Sequence, residues 1–158
     1  MKLSNETLTV LKNFSTINQG IQFKKGKKLT TVSSGKTVLA QANLKDEFPQ
    51  DFCVYDLNQF LLNYSNFKDV AEISFDGPNI VIGKFPDEYM LYRTTAKEMI
   101  VTPPEKEITL PSVDCEFTLK AQDLDKIIKF ANSISSPHIG VVSDGEKIEI
   151  KTIDAKDD

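Results

Sequence analysis

Tryptophan is absent from this chain, histidine occurs once and cysteine twice. The two cysteines, Cys53 and Cys115, lie far apart and form no C-x-x-C pair, so neither a zinc site nor a disulfide framework is expected. Both read as reduced residues on strand-like segments. His138 has no serine, cysteine or carboxylate at a familiar catalytic spacing and reads as a loop residue beside Pro137. No apolar run approaches the roughly 18–20 residues of a membrane span, and MKLSNETLTV lacks the apolar stretch of a secretory signal. A cytosolic protein with no membrane partner, no catalytic centre, no metal and no cofactor is therefore expected. Nor is the chain basic: 19 Lys and Arg stand against 23 Asp and Glu, a net charge of −4. That excludes a uniform basic coat but not a local basic surface, because nucleic-acid binding depends on where the cations sit.

One segment imitates a nucleotide-binding loop. SSGKTV contains Gly35-Lys36-Thr37, but a P-loop also needs a glycine five residues before Gly35, where Thr30 stands. A polar hairpin turn is the expected structure there.

What the chain does contain is ordinary globular material, with 158 residues, 40% of them hydrophobic and 27% charged, enough for a sizeable core. Three amphipathic helices are predicted. Ser4 can cap the first, over residues 5–16, with Glu6 in its opening turn and Thr7, Val10, Leu11, Phe14 and Ile17 on its apolar side. The second follows Asp56 as N-cap and places Leu57, Phe60, Leu61, Tyr64 and Phe67 on one face. The third starts near Ala121, with Leu124, Ile127, Ile128, Ala131 and Ile134 inward and Gln122, Lys126, Lys129 and Ser133 outward.

Between the helices the hydrophobic period changes to two. GIQFKKGKKLTTV has strand character on either side of a turn at Gly26. AEISFDGPNIVI and IGVVSDGEKIEI each read as a hairpin around an Asp-Gly turn. The Asp-Leu pairs at 56 and 123 are 67 residues apart, and the Asp-Gly pairs at 76 and 144 are 68 apart. The near-equal offsets argue for a duplicated helix–hairpin unit, with a third and weaker copy at the N-terminus. So long a period fits pseudo-symmetric domain halves better than a solenoid. VTPPEKEITLPS, at 101–112, holds three prolines and is expected to be an extended connection containing the domain boundary. The expected division is a first domain of two units at 1–102, a connector at 103–112, and a partial second domain of one unit at 113–158.

MKLSNETLTVLKNFSTINQGI, VYDLNQFL, DVAEIS followed by NIVI, and LKAQDLDKIIKF followed by DGEKIEI resemble the sliding clamps of T-even-type bacteriophages, which are DNA polymerase processivity factors. The resemblance implies an α+β DNA clamp fold of repeated β-α-β-β-β units, with helices on one face of antiparallel sheets. It also implies a homotrimeric ring around duplex DNA, opened by a clamp loader and tethering the replicative polymerase, in the cytoplasm of an infected bacterial host. Clamps of this family carry two full domains, whereas this sequence stops after one unit of the second. The expectation is a fragment, a truncated product or a shorter clamp, with a sheet edge and an apolar face left uncovered. A clamp-fold protein-interaction module that never encircles DNA is the alternative.

A sliding clamp reads no bases and needs only weak phosphate contacts from flexible cations. On the resemblance, Lys12, Lys126 and Lys129 on the helices, with Lys2 before the first and Lys68 after the second, are the candidate DNA contacts. The alternative for each is a merely solvated helix face, and Asp125 with Lys129 could be an ordinary i, i+4 pair. Asn58, Gln59, Asn63 and Asn66 give the second helix a neutral polar side. Lys24, Lys25, Lys27 and Lys28 form the densest basic cluster and read as hairpin-tip charges, either solubilising or on the ring's rim near DNA. For a polymerase peptide the candidate groove is Ile100, Val101, Leu110 and Pro111, with packing of the connector as the alternative.

Overall fold

Helix α1 spans Asn5–Ile17 and begins where it does because Ser4, still in extended conformation, accepts the otherwise unpartnered N–H of Thr7 on its Oγ at 3.3 Å. Helix α2, Leu57–Asn66, starts in the same way. Asp56 Oδ1 accepts the Gln59 N–H at 2.9 Å. Each such cap stabilises its helix by about 1 kcal/mol. The computed structural model describes residues 1–67, 70–106, 112–113 and 116–154, which fall into two compact units, 1–107 and 108–158.

In the first unit the strands are β1 (Ile21–Phe23), β2 (Gly26–Val32), β3 (Leu39–Phe48), β4 (Phe52–Val54), β5 (Ile73–Asp76), β6 (Asn79–Lys84) and β7 (Glu88–Arg93). All pairings are antiparallel: β1 with β4, β2 with β3, and β5, β6 and β7 as a meander. The chain thus runs helix, strands, helix, strands, with β4 leading into α2. Met1 takes the corresponding place ahead of α1. Its amino group donates to the Ile73 carbonyl at 2.5 Å and its own carbonyl accepts the Ile73 N–H at 2.7 Å. The two predicted hairpins at Asp76–Gly77 and Asp144–Gly145 are present, and both glycines have the positive φ such turns require, 54° and 94°. SSGKTV is the β2–β3 turn, in which Ser33 Oγ accepts the N–H groups of Thr37 and Val38.

The hairpin expected around Gly26 is not one. β1 and β2 follow each other across Gly26, yet β1 pairs with β4 and β2 with β3, so Lys24–Lys28 occupy a corner between two ladders. Packing explains the choice. Phe23 on β1 stacks on Phe52 of β4 with ring centroids 4.4 Å apart and touches Phe48 at 4.7 Å. Phe60 of α2 closes the cluster, meeting Phe23 at 6.5 Å and Tyr92 of β7 edge-on at 5.4 Å. Leu11, Phe14, Leu57, Leu61, Ile73, Ile80 and Ile82 complete this core. Burying each such side chain contributes about 1.5–3 kcal/mol.

Around this core the predicted apolar faces of α1 and α2 are the buried ones. Thr7, Leu11 and Phe14 of α1 are buried, as are Leu57, Phe60, Leu61 and Tyr64 of α2, while Val10, Ile17 and Phe67 are half-buried. Cys53 on β4 is a buried free thiol, held above the ordinary thiol range by its burial. Cys115 lies outside the described residues.

The second unit holds α3 (Ala121–Ser133) and the hairpin β8 (His138–Ser143) and β9 (Ile148–Ile153). Here the repeated phrase is out of step with the helix. α3 starts after Lys120, which offers no side-chain cap, so Asp123 sits in its first turn instead of holding the N-cap place that Asp56 has in α2. Ala131 is buried and Ile127 half-buried, but Leu124, Ile128 and Ile134, expected inward, are exposed, together with Phe130, Ile139, Val141, Val142 and Ile148. His138 opens β8 and is exposed. Among the described residues no helix is long and apolar enough to cross a membrane, and no group of three or more potential metal ligands occurs.

Candidate nucleic-acid interface

The solvent side of α1 follows from its buried side. With Thr7, Leu11 and Phe14 against the core, the helical period turns Asn5, Thr9, Lys12, Asn13 and Thr16 outward, and all five are exposed. The equivalent side of α2 carries Asn58, Gln59, Leu62, Ser65 and Asn66, all exposed. Thr9, Ser15, Thr16 and Ser65 turn their hydroxyls onto carbonyls of the preceding turn, at 2.7–2.8 Å. Lys12 is the one cation on α1, and Glu6 is the one acid. α2 carries no charged residue.

Both helices are held from behind. Ser4 N–H donates to Asp46 Oδ2 on β3 at 2.6 Å. Burial pushes the Asp46 carboxyl up, but the Ser4 N–H, the Thr7 and Ser4 hydroxyls and the charge of Lys45 outweigh it and hold the group below the usual carboxylate range. At the other end of α1, Asn18 Nδ2 donates to the carbonyls of Val32 at 2.7 Å and Val101 at 3.0 Å, while its Oδ1 accepts the Gly20 N–H. Asp56 accepts Gln19 Nε2 at 2.8 Å besides capping α2; the Gln59 N–H, followed by Gln19, keeps its carboxyl low. Tyr64 spans the two repeats, its hydroxyl accepting the Leu3 N–H at 2.9 Å and donating to the Ala71 carbonyl at 3.0 Å.

Of the candidate cations, Lys2 is exposed just ahead of α1 and Lys12 is exposed on it, whereas Lys68 lies outside the described residues. On α3, Lys126 and Lys129 are exposed one turn apart. Lys126 Nζ is 3.3 Å from Asp123 Oδ1, an i, i+3 pair where an i, i+4 pair between Asp125 and Lys129 was open. Lys12 and Lys129 form no ion pair among the described residues. Lys126 also borders a groove of about 510 Å³ beside β9, lined by Ile127, Phe130, Ile150, Lys151 and Thr152.

The candidate peptide groove is described only in part, since Leu110 and Pro111 lie outside the described residues. Ile100 and Val101 are half-buried and fastened to the α1–β1 turn: Ile100 covers Gly20, and Val101 accepts Asn18. Another groove, of about 380 Å³, runs past Phe52, Cys53, Phe75, Pro78, Thr95 and Lys97. Sequence reasoning missed Asn18, Asp46 and Tyr64 as the side chains that set the helices in place. Only the capping positions Ser4 and Asp56 had a local signature.

A protein-family profile described as DNA polymerase processivity factor matches residues 3–101. The chain is 36% identical to the sliding clamp of Escherichia phage RB69, over 95% of this chain and 65% of that one. It is 33% identical to the sliding clamp of Enterobacteria phage T4, covering 100% of this chain and 69% of the relative. The sliding clamp of Vibrio phage KVP40 is 31% identical, over 99% of this chain and 71% of its own length. The chain therefore spans about two thirds of the length of these relatives. Alternating helix and antiparallel-strand repeats, an α+β arrangement that fits a clamp fold covered in part, agree with that likeness, and the chain belongs to the DNA polymerase processivity factor family.

Proposed function

We propose that this chain acts as a sliding clamp: a non-catalytic scaffold that encircles duplex DNA and tethers the replicative polymerase. Its partners would be sequence-independent duplex DNA, the polymerase and a clamp loader, in a homotrimer of the full-length form within the cytoplasm of the infected bacterium. The observation that carries this reading is kinship to phage sliding clamps along nearly the whole chain, joined to helix–strand repeats that present polar helix faces. In this reading residues 1–102 form the first domain, 103–112 the connector and 113–158 part of the second. Lys2, Lys12, Lys68, Lys126 and Lys129 touch phosphates, and Ile100, Val101, Leu110 and Pro111 receive the polymerase peptide.

The mechanism asks little of each contact. Lysines on flexible stems meet phosphates as point charges, without the planar bidentate geometry that would fix a register. Asparagine, threonine and serine on α1 and α2 bond phosphate or water interchangeably, so no position along the duplex is preferred. Retention then comes from topology and not from affinity. The experiment is retention, after loading, of the full-length form on circular duplex before and after linearisation. The clamp should stay on the circle and slide off the linear form, and Lys126→Glu with Lys129→Glu should weaken loading without unfolding the protein. Equal retention on both forms would favour ordinary DNA binding over encirclement, and retention on neither would favour the protein-interaction module. The exposed apolar side chains of α3, β8 and β9 favour that second reading.

A further inference from the structure

The three helices together carry no net charge. Glu6 offsets Lys12 on α1, α2 is uncharged, and Asp123 and Asp125 offset Lys126 and Lys129 on α3. With the helices neutral overall, cations elsewhere on the chain would add to the attraction for a polyanion, because each phosphate neutralised by a cation releases counterions. The corner between β1 and β2 is where cations concentrate. Lys24, Lys25, Lys27 and Lys28 stand within five residues, and all four are exposed. Lys24, Lys25 and Lys27 form no ion pair among the described residues.

The place of this corner in the fold can be read from its bonds. Gly26 pairs with Phe48 on β3, and two residues earlier Asp46 accepts the Ser4 N–H at the start of α1. At the far end of β2, the Val32 carbonyl accepts Asn18 at the end of α1. β2 and α1 therefore run alongside each other in the same direction, and the lysine corner lies level with the N-terminal end of α1, where Lys2 sits. The acids at this end are Asp46, turned to Ser4, Asp51, whose Oδ1 accepts the Lys25 N–H at 2.7 Å, Glu6 in the first turn of α1, Glu72 beside the residue that pairs with Met1, and Glu47, the last three exposed. Asp51 thus spends an acceptor on the backbone of the corner, and the Gly26 φ of 112° makes the bend possible.

The surroundings distinguish a nucleic acid from an acidic protein. No large apolar side chain is exposed on α1, β1 or β2, the first along the chain being Val38. A protein partner would need such an anchor at the centre of its interface. The corner also holds lysine and no arginine, which suits loose phosphate contact better than bidentate recognition.

We propose that Lys24, Lys25 and Lys27 form a phosphate-contacting element that bears on the duplex backbone beyond the helix faces, an inference that rests on the clamp reading. The test is fluorescence anisotropy of a labelled short duplex titrated with the chain at about 50 and 200 mM salt. Lys24→Gln/Lys25→Gln/Lys27→Gln is compared with Lys84→Gln/Lys106→Gln/Lys147→Gln, which removes equal charge from other exposed positions. Two or three phosphate contacts account for roughly a 10- to 40-fold loss of affinity across that salt range. The corner variant should lose that much of the salt dependence, and the control should keep it. Equal effects of the two variants, or an unchanged salt dependence in the corner variant, overturns the inference and leaves the clamp reading standing. Absence of any salt-dependent duplex binding by the unmodified chain overturns the inference, and the phosphate-contact reading of the helix lysines with it.

Discussion

Removing one oxygen atom tests how the two repeats of the first unit are joined. Tyr64 is 5% exposed, and its hydroxyl bridges Leu3, 4% exposed, and Ala71, 2% exposed. In Tyr64→Phe the ring still fills its place beside the core, but the Leu3 N–H and the Ala71 carbonyl lose their shared partner. Both groups belong to buried residues. A lost hydrogen bond costs about 0.5–1.5 kcal/mol net, and a buried polar group left unpaired costs about 1–3 kcal/mol. Two such groups bring the expected loss to about 2–6 kcal/mol, a large part of the roughly 5–15 kcal/mol that holds a typical domain folded.

The internal comparison is Tyr92→Phe. The Tyr92 hydroxyl donates once, to the Asp56 carbonyl at 3.2 Å, in a half-buried setting, so the loss should stay near 0.5–1.5 kcal/mol. Urea unfolding followed by far-UV circular dichroism separates the two, since tryptophan is absent and fluorescence is weak. With an m value of about 1–3 kcal/mol/M, the Tyr64→Phe midpoint should fall by on the order of 1 M or more. A midpoint indistinguishable from the unmodified protein, or a loss equal to that of Tyr92→Phe, would refute the bridging role. The stretch ahead of α1, including Lys2, would then need another anchor.

Gly20→Ala should destabilise by about 1–3 kcal/mol, because the added Cβ would lie 2.5 Å from Ile100 Cγ2. In urea titrations, Ile100→Ala should recover part of that loss non-additively, and strict additivity would mean the two do not meet. The depressed carboxyls of Asp46 and Asp56 predict an acid limb. Their folded values lie below the unfolded value of about 3.9, so they contribute stability that is present above about pH 4 and lost as pH falls through the folded values. Asp46→Asn should be less stable at neutral pH and decline less steeply on acidification; an unchanged slope in urea midpoints across pH 6 to 3 would rule out the Asp46 assignment.

Local signals made much of this fold legible. Ser4 and Asp56 cap the helices they were expected to cap, and helical spacing alone turned Leu11, Phe14, Phe60, Leu61 and Tyr64 inward. What stayed hidden is long-range. β1 and β2 look like the two arms of a hairpin within a thirteen-residue window, but Phe23 finds Phe52 from far along the chain, and aromatic packing outweighs the nearer partner. The start of α3 at Ala121 was legible in the apolar spacing, although its Asp-Leu phrase lies within the first turn and not at the cap. For the candidate site, exposure of Lys12 and Lys129 followed from the helical period, whereas the ion pair of Lys126 with Asp123 depends on rotamers that spacing does not choose. Asn18 gives no warning in sequence, because its role exists only once Val32 and Val101 converge on it.

The anchoring groups and the exposed groups of this chain occupy opposite sides of the same helices, and that separation has a consequence for both function and experiment. Apart from the buried Tyr64 hydroxyl on the inner side of α2, the polar ties that seat α1 and α2 are made at helix ends: Ser4 to Asp46, Asn18 to Val32 and Val101, Gln19 to Asp56, and the Leu57 N–H to the Gln19 carbonyl at 2.8 Å. The apolar ties lie along the inner stripe. The outward residues Asn5, Thr9, Lys12, Asn58, Gln59 and Asn66 therefore bear little of the folding free energy, and substitutions there should stay within about 0.5 kcal/mol. Electrostatics on this surface can be changed without moving the backbone that presents it. A lysine exchange at Lys12, or at the β1–β2 corner, accordingly reports on the ligand and not on the fold. The same independence would let selection tune how strongly such a chain holds phosphates while its core stays fixed.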